Sequence, residues 1–223
     1  KKYINEINNK YFNNKNNQEN LSFVFTICEK LRIKKKIIID TVNSFKGLNY
    51  RQQIIYNSKK VIIINDSKST SFSSSINLIS SYQNIFWILG GQPKKHDKFN
   101  FNKNKNKNIK AYIFGKNKKF FVNKLKNKVD FQVFTSIKKA LIKILIDIKN
   151  SKLLSKKTIL FSPSSASFDE FENFEARGAY FNILIKSFKK KLLLNQIFIP
   201  KFILIGGETL IKLYFFLLFF FFY

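Results

Sequence analysis

Residues 162–178, reading SPSSASFDEFENFEARG, gather more chemically capable side chains than any other stretch of this chain. Small hydroxylic residues let a ligand come close to the backbone and offer it donors. They follow an apolar run at 158–161, as a ligand loop follows the carboxyl end of a strand in an open α/β sheet. Two more polar motifs sit in the same relation to apolar runs: NDSKSTS at 65–71 after 61–64, and GGQPK at 90–94 after 85–89. Together they carry Lys68 and Lys94, Asp66, several hydroxyls and glycines that permit close approach. That set suits an anionic substrate, with ammonium groups for a carboxylate or phosphate and Asp66 for a sugar hydroxyl. Taken singly the motifs say less, since NDSK alone reads as an Asx-type turn capping a helix. The phosphate-loop pattern G-x-x-x-x-G-K-[ST] is absent from the 223 residues.

These loops need elements that hold them on one edge. From about residue 52, short apolar runs alternate with amphipathic stretches. Strands are expected at 61–64, 85–89, 111–114, 132–134 and 158–161. Helices are expected at about 72–82, up to about 128, from an N-cap at Ser136 to about 150, and from Glu170 to about 190. Strands alternating with helices predict βαβ units, so the fold class is α/β, a Rossmann-like and mainly parallel sheet flanked by helices. Residues 20–31 and 35–45 read as two short helices ahead of it, and 1–19 as an Asn/Lys-rich loop or frayed edge. Gly47 permits a sharp change of direction, which places a domain junction there. The expected division is 1–45, 46–191 and a hydrophobic tail at 192–223, with a solvated loop between Gly91 and Lys110.

Composition sets further bounds. The formal charge is +28, from 41 Lys+Arg against 13 Asp+Glu. Such an excess ordinarily suggests nucleic acid or an anionic membrane. Here the lysines are spread through every segment, alongside Asn, Ile and Phe. All four have A/T-rich codons, so codon bias accounts for the charge and no nucleic-acid partner is expected. The single Cys28 sits in an apolar helical stretch and reads as a core residue in a reducing compartment. The single His96 lacks the Cys, His or carboxylate neighbours of a metal site and reads as a loop residue. The polar start lacks an apolar h-region, so no cleavable signal peptide is expected, and the absence of methionine suggests a fragment. Residues 203–223 have the length of a membrane span, but Glu208 and Lys212 fall within it, each costing about 2.5–3.5 kcal/mol at a span's centre. The tail therefore reads as an out-of-frame extension rather than an anchor.

The three motifs, in order and spacing, resemble those of the Mur ligase family, and most specifically its D-glutamate-adding members. Residues 45–51, FKGLNYR, resemble that group's FxGLPHR junction; 65–71 resemble NDSKATN, 90–94 GGxxK, and 162–178 SPAxASxDxFxxFxxRG. The likeness covers about residues 16–188. It departs at Asn49 and Tyr50, where the group has proline and histidine. The resemblance implies a carboxyl-terminal domain preceded by the end of a central ATP-binding domain. It implies that Arg51 and Asp66 face the nucleotide, with Asn20 near the adenine. Lys68 and Thr70 would sit at the catalytic junction of nucleotide and amino acid. Lys94, Ser167, Phe174 and Thr70 would bind D-glutamate, while Arg177 and Asp169 would be local structural partners. Also implied are ATP and Mg2+, UDP-N-acetylmuramoyl-L-alanine as acceptor, a cytoplasmic location and a monomer. The magnesium ligands and phosphate loop are expected outside these residues. The alternatives are another Mur-type or folylpolyglutamate ligase, or a non-enzymatic basic nucleic-acid-binding protein.

Overall fold

A computed structural model describes residues 4–13, 15–101, 108–151 and 155–197. Two helices come first, α1 (Lys15–Lys30) and α2 (Lys35–Ser44), after short 3-10 turns at Ile4–Glu6 and Lys10–Asn13. The helix expected from residue 20 thus begins at Lys15, where the polar run continues helical geometry and Asn17 is buried, donating to the Tyr11 carbonyl at 2.6 Å. Leu21 and Phe25 of α1 meet Ile38 and Val42 of α2 in a small core of their own.

A six-stranded sheet follows, in the order β1-β2-β6-β3-β4-β5. Its strands are β1 (Gln53–Asn57), β2 (Val61–Asn65), β3 (Ile85–Gly90), β4 (Ile109–Phe114), β5 (Asp130–Val133) and β6 (Lys157–Phe161). All run parallel except β1, which pairs antiparallel with β2. Sequence periodicity passes over β1 because this edge strand is short and only partly buried. It is secured instead by a tight turn in which Ser58 Oγ accepts the Lys60 and Val61 N–H groups. The centre of the sheet, β3 and β6, is buried on both faces, as parallel strands covered by helices must be.

The helices are α3 (Phe72–Ile79), α4 (Lys118–Leu125), α5 (Ile137–Asn150) and α6 (Phe174–Ile197). Ser136 caps α5 as expected, accepting the Lys139 N–H. The last helix starts at Phe174 rather than Glu170. Asn173 explains this, because its side chain accepts the Ala176 N–H at 2.7 Å and fixes the first turn. Residues up to Ile183 form one compact unit; a second begins at Leu184, within α6. Among the described residues no helix is long and apolar enough to cross a membrane. The tail at 203–223 lies outside the described residues.

Candidate functional site

The order β2-β6-β3 brings the carboxyl ends of three adjacent parallel strands side by side. The serine loop after β6 lies between the other two and is bonded to both. On one side the Gly90 N–H donates to the Pro163 carbonyl (3.1 Å), and Gln92 and Ala166 exchange backbone bonds at 2.9 and 3.0 Å. Ser165 Oγ donates to the Gly90 carbonyl at 2.7 Å. On the other side the Ser165 N–H reaches the Ser69 carbonyl (3.3 Å), and the Asp66 N–H reaches that of Phe161 (2.7 Å). Gly91 is required where the loops touch. Its φ is +129°, and a Cβ there would lie 2.5 Å from both the Ala166 carbonyl and Ser165 Oγ.

Asp66 anchors the β2 side. Its buried carboxylate accepts the Gln52 N–H (3.1 Å) and Ser162 Oγ (2.9 Å). Burial pushes its pKa up to about 6, against the pull of those two bonds and of the nearby Arg51 charge. The junction presents Gln52 through left-handed backbone at Tyr50 (φ +61°) and Gln52 (φ +47°). The Tyr50 ring rests on Gly178, where any Cβ would collide with it. Behind Asp66 a chain of hydroxyls links the loops to α3: Ser162 Oγ meets Ser75 Oγ at 2.8 Å, and Ser75 meets Ser69 and Ser164 at 2.6 Å each.

Lys68 is half-buried, with its Nζ 3.8 Å from the centre of the Phe174 ring. A cation over an aromatic face gains about 0.5–1 kcal/mol at such a partly exposed position. Phe174 opens α6, and its carbonyl accepts Ser67 Oγ at 2.8 Å. Ser167 is buried at the end of the serine loop, Thr70 is half-buried, and Lys94 and Arg51 are exposed at the rim. The structure thus brings Lys68, Thr70, Ser167, Phe174, Asp66 and Arg51 to one edge, with Lys94 on the adjoining loop. Asn20 is exposed on α1, and none of the bonds that join the loops involves it. His96 is exposed, as a solvated loop residue should be.

Several participants escape sequence reasoning. The turn after β4 lies at the same edge: a Cβ on Gly115 would come 3.2 Å from the Asp169 carboxylate. Asp169 and Glu170 both have pKa values pushed up, chiefly by burial, with Lys116 pulling each back. Asp97, beyond the glycine loop, accepts the Phe72 N–H at 2.7 Å and ties that loop to the start of α3. A carboxylate just past GGQPK was a possible signal for this, but nothing local showed which helix it would meet. Among the described residues no cluster of His, Cys, Asp or Glu could hold a metal ion.

No family model matches the chain. Curated proteins do. It is 32% identical over 181 residues to a UDP-N-acetylmuramoylalanine–D-glutamate ligase of Wolbachia sp. subsp. Brugia malayi, covering 81% of this chain and 36% of that one. The same-named ligase of Wolbachia pipientis wMel is 35% identical, covering 74% and 32%; that of Rickettsia prowazekii is 33% identical, covering 80% and 40%. The chain therefore spans between about a third and two fifths of the length of these relatives. Among solved structures it resembles the UDP-N-acetylmuramate–alanine ligase of Thermotoga maritima, with a TM-score of 0.53 over 80% of this chain and 39% of the other. It also resembles the UDP-N-acetylmuramoylalanyl-D-glutamyl-2,6-diaminopimelate–D-alanyl-D-alanyl ligase of Acinetobacter baumannii, at 0.52 over 77% and 37%. At 12% identity these two likenesses speak for the fold alone.

Proposed function

The chain belongs to the Mur ligase family, and from that premise we propose that it forms the amino-acid side of a ligase adding D-glutamate to UDP-N-acetylmuramoyl-L-alanine. The observation that carries this reading is the convergence of Lys68, Ser167 and Phe174 on one sheet edge, beside the loop of Lys94 and next to a buried Asp66. An α-amino dicarboxylate needs cations for its carboxylates and hydroxyls to orient it. Lys94 takes one carboxylate, Ser167 and Thr70 orient the molecule, and Phe174 packs against it. Lys68 serves the transferring end. Asp66 and Arg51 take the ribose hydroxyls and a phosphate of ATP.

In the proposed reaction the acceptor's carboxylate becomes an acyl phosphate at the expense of ATP. The D-glutamate amine then attacks the acyl carbon, forms the amide and expels phosphate. This chain's share is to fix the amine in line with that carbon, which removes a large part of the orientational barrier. We assign the magnesium ligands, and the phosphate loop, to segments of the relatives that this chain does not match; among the described residues no group of three or more His, Cys, Asp or Glu could hold a metal ion. We propose that residues 1–45 belong to the neighbouring ATP-binding domain, supported by the small core that α1 and α2 share, and that the enzyme acts as a cytoplasmic monomer.

A direct test replaces the matched segment of the Wolbachia relative with this chain and follows phosphate release. Release that depends on D-glutamate is expected. Salt-dependent retention on arbitrary DNA by the purified chain, with no response to D-glutamate or ADP, would favour the basic-protein alternative.

A further inference from the structure

The Arg177 side chain is fully buried on α6, yet none of its acceptors is a carboxylate. Nη2 donates to the Ser67 carbonyl (2.8 Å) and the Ser165 carbonyl (2.9 Å). Nη1 donates to the Ala166 carbonyl and Nε to Ser67 Oγ, both at 3.1 Å. One planar group thus spans two loops that leave different strands, β2 and β6. We infer that Arg177 is a positioning residue: its guanidinium sets the spacing between the loop of Lys68 and the loop of Ser167, and with it the site's affinity for an α-amino dicarboxylate.

The placement of the bonds separates this role from general stabilisation. Ser67 directly precedes Lys68, and Ala166 directly precedes Ser167. The Ser67 hydroxyl that accepts from Nε donates in turn to the Phe174 carbonyl at 2.8 Å. The guanidinium therefore reaches Ser167 and Phe174, assigned to the D-glutamate end, and Lys68, assigned to the transferring end, through a single peptide link or a single hydroxyl. The third loop abuts the same group, since a Cβ on Gly91 would lie 3.0 Å from Nη1. Burying a charge with only carbonyl and hydroxyl partners is costly, and the nearby Asp169 offsets this only through space. Burial lowers the guanidinium pKa to about 10, so it stays charged at neutral pH. A lysine could fill the volume and keep the charge but lacks the rigid fork that cross-ties two loops.

The inference rests on the D-glutamate reading, and the experiment separates the two. Isotope-labelled chain is titrated with D-glutamate and with ADP as wild type, Arg177→Lys, Arg177→Met and Ser67→Ala, following amide resonances. Wild type should respond to both ligands. Arg177→Lys should weaken D-glutamate by at least about tenfold while changing ADP by less than about threefold, the scale of one to two hydrogen bonds to a charged group. Ser67→Ala, which removes one acceptor, should fall between. Resonances of β4, β5 and α5 should stay put, as a global loss of folding would not allow. If Arg177→Met does not fold, Arg177→Lys and Ser67→Ala decide. No D-glutamate response in wild type would sink the functional reading and the inference with it. A wild-type response that Arg177→Lys leaves within about threefold would overturn the inference alone.

Discussion

At the scale of single residues, the proposed function divides the site between Asp66 and Lys94, one for the nucleotide and one for the amino acid. Lys94 is exposed on the β3 loop, and Asp66 is buried on the β2 loop beneath the junction. In the segment-swapped enzyme, Lys94→Ala should raise the KM for D-glutamate about ten- to a hundredfold and leave that for ATP nearly unchanged, since a hydrogen bond to a charged group contributes about 1.5–3 kcal/mol. Asp66→Ala should do the reverse. Equal effects of both changes on both substrates would reduce the loops to scaffolding. Asp66 also predicts a pH dependence of folding. Its folded pKa, about 6, stands above the ordinary 3.8, so the native state holds its proton more tightly than the unfolded chain. The resulting stability is full below pH 4 and is lost as pH rises to 6, by about 3 kcal/mol in all. Asp169 and Glu170 shift in the same direction, so the measurement is a difference. Denaturant unfolding of Asp66→Asn should lose less stability than wild type between pH 4 and 7, and parallel curves would refute the assignment.

At the scale of elements, the fold depends on how α6 and α5 seat against the sheet. Phe181 of α6 stacks on Phe161 of β6 with ring centres 4.3 Å apart, and Gly178 leaves room for the Tyr50 ring. Adding a methyl at Gly178 must displace Tyr50 near its backbone, and Gln52, the donor to Asp66, lies two residues on. Gly178→Ala should therefore lower stability by about 1–3 kcal/mol, as overpacking does, and weaken ADP binding. A second change, Tyr50→Ala, should recover much of the stability; failure of the double variant to recover would place the strain elsewhere. Farther along the same face, Asp147 of α5 gathers Lys110 (2.7 Å), Lys143 (2.6 Å) and Tyr112 Oη (2.6 Å). Burial alone would raise its pKa, but these three donors bring it down to about 2. Asp147→Ala orphans the buried Tyr112 hydroxyl and should cost about 1–3 kcal/mol in thermal or denaturant unfolding. A change under about 0.5 kcal/mol, the range of an ordinary surface substitution, would show that water replaces the carboxylate.

At the scale of the whole molecule, the hydrophobic cluster shared by α1 and α2 has no member in common with the second, around Trp87 and Leu160 in the sheet, although both lie in the compact unit up to Ile183. If the first belongs to a neighbouring domain, a chain of residues 46–197 should keep its α/β fold. Circular dichroism and dispersed amide resonances check this, and a collapse to unfolded chain would show that the helices belong to the sheet domain. The charge of +28 belongs to this scale too. Its lysines follow no single element, so any retention on polyanions should fade with salt while D-glutamate binding persists.

The sequence alone determined much of this. The alternation of apolar runs with amphipathic stretches gives β2 to β6 and α3 to α5, because side-chain period and burial are local properties. The motif residues Asp66, Lys68, Lys94 and Ser167 declare their loops because serine, glycine and lysine directly after an apolar run serve little purpose in a core. It did not determine which loops would touch. Strand order decided that: inserting β6 between β2 and β3 makes the serine loop the bridge, and pairing between strands about a hundred residues apart leaves no trace in local periodicity. The same holds for Arg177, whose acceptors lie 11 or more positions away along the chain. It holds for β1 as well, an edge strand fixed by one partner. Tertiary structure alone turns a buried charge into a tie between loops, because burial and hydrogen-bond partners are set by neighbours in space rather than along the chain.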